Sequence, residues 1–155
     1  MENSGLMKKN DFKRKIAISD SFKKAAKSDL KSARILLKGK EYNNSLYHSQ
    51  QAIEKILKAM LVLKDRFIFK HEVIAEFCKV FKKAVSPDFI NLVNDKGFKI
   101  EQEGSSLRYP DFSGEIISSP IEEFTKADAR EGYKTAREIE TMALKEIKQI
   151  KKQMP

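Results

Sequence analysis

The residues best suited to chemistry lie on one helical stretch and one distant loop segment. His48, Gln51, Lys55 and Lys58 recur at steps of three and four, so a single helical face would carry all of them. Lysine offers a phosphate a point charge, and a glutamine amide reads a base edge or a backbone group. Arg108, within SSLRYPDFSG, adds a planar guanidinium fork suited to the same anion. His48, Gln51, Lys55, Lys58 and Arg108 are therefore the candidate nucleotide- or phosphate-binding residues. A second reading is internal. In it Gln51 and Glu54 are buried and hold the RYPD segment, Arg108 forks onto Glu54, and Tyr109 and Asp111 are further structural polar groups. Both readings stay open on sequence alone.

Other chemistries are disfavoured. Two histidines and one cysteine, widely separated, do not make a zinc site. Cys78 falls on an apolar helical face and reads as packing rather than as a nucleophile. Gly39-Lys40 lacks the preceding glycine and following hydroxyl residue of a phosphate-binding loop. No metal and no cofactor is expected.

The elements that must position these groups follow from apolar spacing. In Tyr42–Lys64, Leu46, Ile53 and Met60 lie seven apart with Ile56, Leu57 and Leu63 between them, a helical seam with polar residues set among it. A preceding helix is predicted from about Asp20 to Lys38, capped by Ser19 and ended by Gly39 in left-handed geometry. A third helix is expected over His71 to Lys83. A short fourth starts at Ser86-Pro87-Asp88 and stops by Gly97. The last starts at the capping run Thr125-Lys126-Ala127-Asp128 and continues almost to Pro155. Phe98 to Phe124 is too long for an ordinary connection. Its Leu107, Tyr109, Phe112, Ile116 and Ile117 imply a loop packed across the bundle. The fold class is all-α: an antiparallel four-helix bundle with one extra short helix and a long loop across it. Residues 1–18 read as a polar basic arm and residues 19–153 as a single helical domain.

Composition narrows the setting. The chain has 155 residues, and 31 Lys and Arg against 22 Asp and Glu leave a formal charge of +9. The excess gathers near the ends, from Lys8 to Lys27 and from Lys145 to Lys152. Basic arms attract nucleic acid or an acidic protein, and lysine-rich faces also serve solubility. The longest apolar run, Ala59–Leu63, is far short of the ~18 residues of a membrane span. No signal-peptide core is visible, and one cysteine excludes an internal disulfide. The expectation is a cytoplasmic protein without membrane contact.

Several of these pieces occur together in a known family. They are Ala33-Arg34-Ile35-Leu36-Leu37 followed by Tyr42, then Tyr47-His48-Ser49-Gln50-Gln51-Ala52-Ile53-Glu54-Lys55 with Lys58-Ala59. His71, Arg108-Tyr109-Pro110-Asp111 and Phe124-Thr125-Lys126-Ala127-Asp128-Ala129 follow in order. Over residues 20 to 150 the chain resembles the HEPN (higher eukaryotes and prokaryotes nucleotide-binding) domain family. The resemblance implies an up-and-down four-helix bundle with an extra short helix, usually a homodimer. It also implies a nucleotide- or RNA-related role, often beside a minimal nucleotidyltransferase in a two-component, toxin–antitoxin-like module. Some members are toxin ribonucleases that use an arginine and, four to six residues on, a histidine on a late helix. Histidine there acts as acid or base while arginine stabilises phosphate charge. Arg66 and His71 have that spacing but sit between the second and third helices, and no histidine follows Arg108, Arg130 or Arg137. They are weak catalytic candidates, and the chain is expected to be a non-catalytic partner. The alternatives are the ribonuclease, for which His71→Ala would abolish RNA cleavage, and a plain dimerisation module.

Overall fold

The structure is a computed structural model that describes residues 4–154, with side chains from Asp11 onward. Helix α1 runs Ser4–Lys38, α2 Tyr42–Val62, α3 Ile74–Phe81, α4 Pro87–Leu92, α5 Phe98–Glu103, α6 Pro120–Glu123 and α7 Lys126–Gln153. A π-helical turn, Val93–Gly97, joins α4 to α5, and a 3-10 turn, Gly104–Leu107, follows α5. The pair Asp111–Ser118 is an isolated antiparallel bridge in the loop before α6. Among the described residues no helix is long and apolar enough to cross a membrane. The expected all-α bundle is the observed fold.

Helix α2 is its axis. Ala52, Ile53, Ile56, Leu57 and every residue from Ala59 to Leu63 are buried, because α1 packs along one side and α7 along another. Helix α7 contributes Ala129, Ala136, Ile139, Ala143 and Ile147, at helical steps. Gly132 faces Leu46 of α2. A Cβ there would lie 2.2 Å from Leu46 Cδ1, so any side chain would force Leu46 to move within the packed core. Beyond α2, Phe77 packs tilted against Phe81 at 4.9 Å and edge-on against Phe89 at 5.5 Å, ring centre to ring centre, filling a second lobe of the core. Each such burial stabilises by roughly 1.5–3 kcal/mol before chain entropy is counted.

Several boundaries differ from the expectation, each for a local reason. Of the arm expected over residues 1–18, residues 1–3 lie outside the described range and helix is already present from Ser4. Ile16 and Ile18 pack against the core, and Lys15 meets Asp65 at 3.1 Å, so the helix has contacts well before Asp20. Ser19 is consequently not a cap. It is buried inside α1 and its hydroxyl donates to the Ala59 carbonyl at 2.8 Å. Helix α1 ends with Lys40, not Gly39, in left-handed geometry (φ 62°). Glu41 N–H reaches back to Leu36 O at 2.9 Å and Lys40 N–H to Leu37 O at 3.2 Å, a Schellman closure. Asp65 (φ 60°) ends α2 in the same way, with Arg66 N–H on Leu61 O.

The third helix begins at Ile74 rather than His71, because the Glu101 carboxylate takes the Val73 and Ile74 amides at 3.0 and 3.1 Å. The helical path does not stop at Gly97. That residue keeps helical angles (φ −62°, ψ −46°), and its missing side chain admits Ile139 and Ile74, whose Cδ1 atoms would lie 3.3 and 3.5 Å from a Cβ. Ser86 and Thr125 cap as expected, the latter in a full capping box with Asp128. The segment 98–124 packs only in part. Leu107 and Phe124 are buried, while Phe112 is 78% and Ile116 87% exposed. Its early residues are tied down by α5 and the 3-10 turn, and its tip stands clear of the bundle.

Candidate functional site

Between α2, α5 and the turn ahead of α3 lies a cleft of about 320 Å³. Its α2 wall is Tyr47, Gln50, Gln51 and Glu54, and Arg108, His71, Glu72 and Glu101 complete the rim. Tyr47 and Glu54 are seven residues apart, about 10 Å along the helix axis, so the cleft has two ends.

Arg108 forms the first end. Its guanidinium lies 4.7 Å above the Tyr47 ring and 5.0 Å from that of Tyr109, and Nη1 donates to the Tyr47 hydroxyl at 3.5 Å. Stacked and exposed, it keeps most of its five donors for solvent or a ligand. This corrects the expected fork from Arg108 to Glu54. The loop brings Arg108 to the N-terminal half of α2, and Glu54 is already taken. Backbone contacts set that placement. The Asn43 amide donates to Leu107 O at 3.1 Å and the Gln50 amide to Ile100 O at 3.0 Å.

Glu54 organises the second end. The residue is 7% exposed; its carboxylate accepts from Lys58 Nζ at 2.7 Å and from Gln51 Nε2 at 3.2 Å, and lies 3.2 Å from His71 Nδ1. Lys58 therefore neutralises Glu54. His71, otherwise exposed, is oriented through Nδ1 and stands on the cleft rim. Glu101 is half-buried, and burial raises its carboxyl pKa most. The amides of Val73 and Ile74 pull it down, and neighbouring Glu72 and Glu54 add to the rise.

The candidate residues thus divide. Gln51, Arg108, His71 and Glu54 share the cleft. His48 and Lys55 turn to α1, where Asp29 accepts both at 2.8 and 2.5 Å. Arg66 does not line the cleft; its Nε lies 4.0 Å from Glu76, so the Arg66–His71 spacing brings no pair together there. Tyr109 is exposed beside Arg108, and Asp111 accepts from the Ser113 amide and hydroxyl, which hold its carboxyl below the usual carboxylate range. Tyr47, Gln50, Glu101 and Asp29 were missed by sequence reasoning. Tyr47 stood in the quoted motif without a role. Glu101 was hidden by the helix stop expected at Gly97.

The comparisons agree with this architecture. A family model described as HEPN domain matches residues 19–147. The chain belongs to the HEPN domain family. A protein of Methanocaldococcus jannaschii named "Putative toxin MJ1304" is 35% identical to this HEPN chain over 145 residues, covering 90% of it and 89% of the relative. The crystal structure of ST0689, an archaeal HEPN homologue, covers 83% of the chain and 97% of itself, with a TM-score of 0.63 at 24% identity. That of TT1696 from Thermus thermophilus has the same coverages, with a TM-score of 0.69 at 18% identity. Both show the same fold.

Proposed function

We propose that this HEPN protein binds a nucleotide, or the phosphate of a nucleic acid, in the α2–α5 cleft. The carrying observation is the cleft's polarity. One end offers a stacked, otherwise free guanidinium at Arg108. The other offers acceptors for base N–H groups in the carboxylates of Glu72 and Glu101, with the Gln51 amide between. A phosphate on Arg108 would leave the base directed along α2 towards Gln51 and His71. Lys58, paired with Glu54, supports the α2 wall, while His48 and Lys55 are taken by Asp29 outside the cleft. The toxin name of the archaeal relative supports a place in a toxin–antitoxin-like module. In that module the chain is a cytoplasmic homodimer paired with a minimal nucleotidyltransferase.

Titration of the protein with purine nucleotides and short RNA at low and high salt tests the cleft. Binding should weaken as salt rises, and Arg108→Ala should lose about 10- to 100-fold, the value of a hydrogen bond to a charged group. No binding at low salt, or an unchanged affinity in Arg108→Ala, would overturn the proposal. A ribonuclease reading has one observation in its favour, the His71–Glu54 contact, which resembles a general base and its orienting carboxylate. It predicts RNA cleavage lost in His71→Ala; RNA left intact with and without a partner ends it.

A further inference from the structure

Helices α1 and α7 lie side by side and leave an open groove of about 730 Å³ that shares no lining residue with the α2–α5 cleft. Lys24, Lys27, Lys31 and Arg34 form its α1 wall, and Arg137 and Tyr133 stand on the α7 side. The five cations are exposed. Among the described residues none of them makes an ion pair with a carboxylate. One acid, Glu140, lies in the groove between Lys27 and Arg137. A solubilising face spreads charge over a convex surface. Here the cations line both walls of a concavity, where their fields add and a single acid offsets only part of their mutual repulsion.

We propose that the α1–α7 groove is a track for the sugar–phosphate backbone of a single-stranded nucleic acid. The spacing favours this ligand. Lys24, Lys27, Lys31 and Arg34 advance by three, four and three residues, a ladder of about 15 Å with steps of about 5 Å. Such a line of cations can run beside the line of phosphates of one strand. Tyr133, half-buried with the Arg137 guanidinium 5.7 Å from its ring centre, supplies an aromatic surface beside the cations. Aromatic rings set in a basic groove are the usual means of holding single strands without sequence preference. An acidic polypeptide would satisfy the charge but would make no use of the ring.

The test is fluorescence anisotropy of a labelled oligouridylate of about twelve nucleotides, a length within the range of single-strand sites. Five phosphate contacts predict a slope of log affinity against log salt of about −3.5, or about 100-fold weakening from 50 to 200 mM. The triple variant Lys27→Ala, Lys31→Ala, Arg137→Ala should flatten the slope to about −1.4. Lys79→Ala, Lys82→Ala, Lys83→Ala removes the same charge from exposed positions at α3 and should leave the slope intact. Circular dichroism checks that both variants are folded. Equal weakening in the two triple variants, no anisotropy change at low salt, or displacement by polyglutamate at lower concentration than by unlabelled RNA would each overturn the proposal. Mononucleotide binding in the cleft is a separate readout that the groove variants leave untouched, so failure of either site is distinguishable.

Discussion

Asp29 shows how one carboxylate reassigns two candidate ligands. Buried at the α1–α2 contact, it takes both His48 and Lys55, which the three- and four-residue spacing alone had set beside Gln51 as a phosphate patch. Spacing identified the helix but not which neighbour each face would meet, because residues seven apart span only two turns and α1 covers one side of both. Asp29→Asn should destabilise the fold by about 1–3 kcal/mol, since His48 and Lys55 would lose a charged acceptor in a half-buried setting. Urea denaturation measures the loss, and nucleotide affinity in the cleft should not change. Glu54 was legible as a buried polar group; its partners were not. For the Arg108 guanidinium the sequence left a ligand and the interior both open; in the structure it lies exposed over the Tyr47 ring.

The crossing of α7 over α2 turns on Gly132. Alanine is intrinsically favoured over glycine in a helix by about 1 kcal/mol, yet its Cβ would fall 2.2 Å from Leu46 Cδ1 within the core. Gly132→Ala should therefore be net destabilising, by about 1–3 kcal/mol. Adding Leu46→Ala should recover part of that loss, so the double variant falls short of additivity. A double-mutant cycle in urea is the check. At this scale the long helices were readable, since α2 and α7 carry sustained apolar periods and α7 a capping box. The path through residues 93–107 was not. A glycine ending a predicted helix and a glycine admitting two isoleucines look alike until the neighbours are known. Ser19 failed as a cap for the same reason: a hydroxyl that donates across to Ala59 resembles one that would begin a helix.

At the scale of the whole molecule, charge and burial make stability depend on pH. Burial is the strongest influence on Glu140 and raises its carboxyl pKa against the lowering pull of Lys27 and Arg137. A carboxyl whose folded pKa is raised contributes stability that is full below its ordinary value of 4.5 and is lost as pH rises through the folded value. Glu101 and Glu103 are shifted in the same direction, also chiefly by burial. Glu140→Gln should thus melt above the wild type at pH 7 and level with it at pH 4 in paired thermal scans. The overall class, bundle and basic balance were open to sequence reasoning because they are sums over many residues. The two concave surfaces were not, since each joins side chains from elements far apart along the chain. One of those joints has a further effect. The carboxylate that fastens the opening amides of α3 also forms part of the cleft wall. A guest that drew Glu101 towards itself would loosen the first turn of that helix, so filling the cavity and fraying α3 would draw on the same group.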